Sequence, residues 1–147
     1  EETLVLCYTN KNHQSGDIQT GLQKHIQENK DIQNLINQNK DLTYKMKDHL
    51  LRGRIKELGQ CVHESWNLKR LFSESITDSR LDSIYNLAMQ NGAYGGKLLG
   101  AGGGGYFMFF VKPFEKFKFL QVMSQSGYNC ININFDDEGL RAWKIRT

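Results

Sequence analysis

The chain has 147 residues, 39% of them hydrophobic and 24% charged, the balance of an ordinary folded domain large enough to bury a core. Its net charge is +3, with both signs dispersed along the sequence, which argues against a nucleic-acid-binding patch. No apolar run approaches the roughly 20 residues of a membrane-spanning helix, so no membrane partner is expected.

Residues 3–8 are short, apolar and partly β-branched, which predicts a central strand. Residues 9–17 are polar and turn-rich and read as a loop. Asp17 is placed to cap a helix holding Ile18, Leu22 and Ile26. From Asp31 the apolar residues Ile32, Leu35, Ile36, Leu42, Met46 and Leu50 recur at helical spacing, predicting a long helix that ends near Arg52 and Gly53. A third helix carries Ile55, Leu58, Val62, Trp66 and the cations Lys69 and Arg70. A fourth begins at Asp78, turns Leu81, Ile84, Tyr85, Ala88 and Met89 inward, and ends at Asn91 and Gly92.

Residues 97–99 read as a short strand, and the aromatic run 106–111 as a buried one. Pro113 is harmless at the start of a helix, whose predicted inner face is Phe117, Leu120 and Met123. Residues 130–135 alternate as a half-buried strand should, and residues 140–145 read as a last strand. The order predicts an α+β domain, with helices on one face of a mainly antiparallel sheet.

The glycines between these strands are the strongest signal. Residues 92–105 read Gly-Ala-Tyr-Gly-Gly-Lys-Leu-Leu-Gly-Ala-Gly-Gly-Gly-Gly and hold eight of the chain's fourteen glycines. Glycine costs backbone entropy, so such a cluster implies left-handed backbone or close approach to a ligand. Bare N–H groups facing one way bind phosphate. A Walker loop is excluded, because Gly96-Lys97 is followed by Leu98 and Asn91 stands where its first glycine belongs. Gly100, Gly102 and Gly105 match the letters of a dinucleotide fingerprint, but a strand follows where a helix is required.

Other chemistry finds little support. The four histidines, 13, 25, 49 and 63, form no His-Glu-x-x-His pair, so no metal site is expected. Asp136, Asp137 and Glu138 fit turn chemistry. Cys7, Cys61 and Cys130 are widely spaced, with no Cys-x-x-Cys, and read as reduced thiols of a cytoplasmic protein.

The motif Gly-Ala-x-Gly-Gly-Lys-Leu-x-Gly-Ala-Gly-Gly-Gly-Gly, with its following strand, resembles the third conserved motif of the GHMP kinases. Residues 63–69 (His-Glu-Ser-Trp-Asn-Leu-Lys), residues 81–85 and the opening strand extend the likeness to the branch that phosphorylates D-glycero-D-manno-heptose 7-phosphate. The resemblance implies that residues 1–147 form a GHMP kinase C-terminal domain, with a ferredoxin-like sheet and several added helices. It implies a phosphate and substrate loop of Gly95, Gly96, Lys97, Gly100, Ala101, Gly102, Gly103, Gly104 and Gly105. It points to sugar contacts from Thr9, His63 and Trp66.

The superfamily's nucleotide-phosphate loop has no counterpart here, and Pro113 is the only proline. The resemblance therefore implies that the N-terminal kinase domain is a missing partner. That half would hold ATP, Mg²⁺ and the catalytic residues, leaving this piece inactive alone and prone to self-association. A free-standing sugar-phosphate-binding or regulatory module remains the alternative.

Overall fold

The computed structural model describes residues 1–11 and 29–143. Four strands form one antiparallel sheet: β1 (Leu4–Tyr8), β2 (Ala93–Leu98), β3 (Tyr106–Val111) and β4 (Cys130–Asn132), in the order β2-β3-β1-β4. The long helices are α1 (Lys30–Leu51), α2 (Ile55–Arg70), α3 (Ser79–Gln90) and α4 (Lys116–Gln125). This is the α+β architecture expected, with β1 central. The helix predicted after Asp17 lies outside the described residues.

Local chemistry sets the helix ends. The Asn29 side chain accepts from the Asp31 N–H at the start of α1, and Asp78 accepts from the Leu81 N–H at 2.8 Å at the start of α3. Gly53 follows α1 with φ +67.

Side chains alternate across β3. Phe107, Phe109 and Val111 join Val5, Trp66, Leu81, Ile84, Phe119 and Met123 in the main core. Phe110, turned to the opposite face, packs with Leu58 and Val62 in a smaller cluster that also takes Met46, Leu4 and Met108. Helix α2 thus straddles the β2 edge, and helices cover both faces instead of the single face predicted. The sequence order carries no information about which side of an edge strand a helix crosses.

Three further expectations are corrected. Phe117 does not line the core: it is exposed, and Phe119 takes the inner position with Met123, four residues on along the same helix face. The strand predicted over residues 130–135 stops at Asn132, where pairing with β1 ends at Val5. Residues 140–143 form no strand. The predicted reduced thiols are also corrected. Cys7 and Cys130, directly opposed on β1 and β4, form a disulfide across 123 residues, and only Cys61 is free and buried. Strand register made the pair, and spacing along the chain could not reveal it.

Candidate functional site: the glycine loop and its lysines

The loop between β2 and β3 spans residues 99–105, and Gly100, Gly102, Gly103 and Gly105 all have positive φ. At Gly102 (φ +130) an added methyl would also come within 3.0 Å of the Ile76 Cα, and at Gly104 within 2.6 Å of the Lys11 carbonyl oxygen. A side chain fits at neither position.

The loop is pinned from three sides. The Thr9 N–H and hydroxyl both donate to the Gly105 carbonyl at 2.9 Å, and the Gly105 N–H donates to Lys11 at 2.8 Å. The Gly103 N–H donates to the Ile76 carbonyl at 2.9 Å. From α2, the Lys69 ammonium donates to the Gly100 carbonyl at 2.5 Å. Among the described residues, the N–H groups of Gly100, Ala101, Gly102 and Gly104 donate to no backbone carbonyl. Of these, Gly100 is exposed and Ala101 half-buried, the two best placed to meet an anion, whereas Gly102 and Gly104 are buried.

Gly95 and Gly96 do not belong to this loop, a correction to the sequence reading. Both are buried inside β2. A methyl at Gly95 would overlap the Gly59 carbonyl of α2, and one at Gly96 would overlap the Phe109 ring. These two glycines let a helix and a ring lie flat on the strand. Lys97 is also a β2 residue, and its ammonium donates to the Ser65 hydroxyl of α2 at 3.2 Å.

The three expected sugar contacts are differently placed. Thr9 and Trp66 have no exposed surface. The Thr9 hydroxyl is committed to the loop, and Trp66 packs edge-on against Phe107 with its indole N–H unpartnered among the described residues. His63 is half-buried on α2, with Nδ1 2.7 Å from the Tyr85 hydroxyl and Nε2 3.0 Å from the Asn67 amide. Burial pushes the Tyr85 phenol up, opposed by a backbone hydrogen bond from Gly96.

The sequence reading missed Lys69. It lies one and two helical turns beyond Ser65 and Val62 on the face of α2 that also buries Leu58 and Trp66. The helical period alone therefore places a lysine on a buried stripe. Burial, then the charge of Lys97, lowers Lys69 to about 8; burial lowers Lys97 too. Nearby cations are paired, Arg70 with Asp82 at 2.9 Å and Lys11 with Asp78 at 2.8 Å.

Residues 46–129 match the family model described as "GHMP kinases C terminal". The chain belongs to the GHMP kinase C-terminal family. It is 32% identical over 145 residues to a D-glycero-alpha-D-manno-heptose 7-phosphate kinase of Campylobacter jejuni, a match spanning 99% of this chain and 42% of that protein. The chain thus spans less than half the length of its curated relative.

Two solved structures share the fold of this GHMP domain. One is the L. major mevalonate kinase in complex with R-mevalonate, with TM-score 0.77, 21% identity and coverage of 83% of this chain and 37% of that one. The other is a D-glycero-D-manno-heptose 1-phosphate kinase from Bacteroides thetaiotaomicron, with TM-score 0.62, 22% identity and coverage of 100% and 37%. Among the described residues no helix of the domain is long and apolar enough to cross a membrane.

Proposed function

We propose that this domain is the C-terminal part of a cytoplasmic sugar kinase that moves the ATP γ-phosphoryl to D-glycero-D-manno-heptose 7-phosphate, at the anomeric hydroxyl. The observation that carries the reading is the pinned glycine loop, with four left-handed glycines and N–H groups that meet no backbone acceptor among the described residues, beside buried Lys69 and half-buried Lys97. Phosphoryl transfer demands alignment and charge neutralisation more than covalent chemistry. A rigid rim of N–H donors supplies both without moving.

Mg²⁺ would neutralise nucleotide phosphate charge in the assembled kinase. Among the described residues no group of three His, Cys, Asp or Glu side chains can hold a metal ion. We therefore assign the metal, the nucleotide and the catalytic acid or base to an N-terminal half. In this domain Thr9, Ile76 and Lys69 hold the loop in place, and His63 is the sugar-contact candidate that keeps an exposed edge. Exposed Phe114 and Phe117, beside one another at the start of α4, offer apolar side chains for the other half or for self-association.

An ADP-release assay tests the reading. The full-length protein should turn over heptose 7-phosphate with Mg·ATP, at about 1–100 s⁻¹ as kinases do. The 147-residue chain alone should show no turnover. Sugar-phosphate binding without turnover by the full-length protein would favour the free-standing binding module.

A further inference from the structure

Lys69 and Lys97 are the feature of this site that its hydrogen bonds do not explain. Lys97 reaches Ser65, which lies one helical turn before Lys69 on α2, and Lys69 reaches Gly100, so the two ammonium groups attach to neighbouring points of one buried helix face, near enough for the charge of Lys97 to act on Lys69. Lys69 is only 9% exposed, and its one described partner is a neutral carbonyl. Among the described residues neither ammonium forms an ion pair, whereas Lys11 and Arg70 beside them both do. Burying one unpaired charge is costly, and two like charges side by side are costlier. A dianion between them would remove both penalties.

Building on the function proposed above, we propose that Lys69, Lys97 and Ser65 form the seat of the phosphate group that the sugar substrate already carries. Three donors converge there: two ammonium groups and a hydroxyl whose oxygen accepts from Lys97 and whose proton is left to donate. They suit the three terminal oxygens of a phosphate monoester. The nucleotide phosphates fit less well. They arrive with Mg²⁺, and among the described residues no carboxylate cluster lies here to share in holding it. A sugar phosphate arrives bare. The exposed Gly100 and Leu99 mark the open side of the seat.

The test uses the full-length protein with Lys69→Met and Lys97→Met, which replace each ammonium by an apolar group of similar length. Calorimetry without nucleotide measures binding of heptose 7-phosphate and of the unphosphorylated heptose. Steady-state kinetics measure KM for the sugar phosphate and for ATP. Each variant should weaken heptose 7-phosphate about 10- to 100-fold, the size of a lost charged hydrogen bond, and leave the free heptose unchanged. KM for ATP should stay within about twofold, and Lys69→Arg should recover part of the loss.

Unchanged sugar-phosphate binding in both variants, with melting curves showing folded protein, would overturn the assignment. So would a rise confined to the KM for ATP, which would give the seat to the nucleotide. If the wild-type protein binds heptose 7-phosphate through these lysines but never turns it over, the seat stands and the kinase reading fails. If it turns over while both variants bind normally, the seat alone fails.

Discussion

Gly95 of β2 lies against the backbone carbonyl of Gly59 on α2, so helix and strand touch with no side chain between them. This contact sets the height of α2 above the sheet. It thereby decides whether Ser65 and Lys69, farther along the helix, reach Lys97 and Gly100. Gly95→Ala forces a methyl into that backbone. It should cost about 1–3 kcal/mol in urea unfolding, as overpacking of a filled core does. Gly127→Ala meets open space and carries only the strain of its φ of +83, so it should cost less. Equal losses at the two positions would mean that α2 is not seated on Gly95.

If the proposed kinase activity holds, Gly103→Val in the full-length protein should lower kcat about 10- to 100-fold, the penalty of misplacing reacting groups by about an ångström. Gly103 has φ +73 and its N–H holds Ile76, so a β-branched residue displaces the loop without touching the core strands. Far-UV circular dichroism should stay unchanged. Normal kcat would show that the loop does not position the transfer.

Lys69 makes stability depend on pH in a predictable direction. Its ammonium titrates near 8 in the fold, against 10.5 for an ordinary lysine. Below pH 8 both folded and unfolded chains hold the proton, and the full cost of the buried charge is present. Between pH 8 and 10.5 the folded chain gives up the proton first, so the unfolded state binds more protons and this group's contribution to stability rises with pH. Lys97 is shifted the same way and remains in both proteins compared. Lys69→Met should therefore gain most over wild type at pH 7 and lose that advantage by pH 10, read as the difference in urea midpoints. Parallel pH profiles would show that the Lys69 ammonium keeps the ordinary lysine pKa in the fold.

The Cys7–Cys130 disulfide predicts a thiol count. Unfolded without reductant, the air-purified chain should show one reactive thiol, from Cys61, and three after reduction. Reduction opens a loop of more than a hundred residues and should cost about 2–4 kcal/mol. The reducing cytoplasm proposed for this kinase would hold the pair as thiols, leaving β4 on β1 through its backbone ladder alone. Three reactive thiols before reduction would show that the bond does not form.

By itself the sequence determined what is periodic or strictly local. Apolar spacing drew α1, α2 and α3 to within a residue or two, Asp78 announced its own cap, and the aromatic run drew β3. The glycine motif marked the family and the loop. Tertiary structure decided whatever depends on distance between segments. The strand register opposed Cys7 to Cys130. The packing of α2 on Gly95, and of the Phe109 ring on Gly96, made contact surfaces of two glycines that the sequence had grouped with the loop. The meeting of α2 with β2 brought Lys69 towards Lys97 across 28 residues: the helical period places Lys69 on a buried stripe, but no local spacing encodes which strand residue that stripe meets.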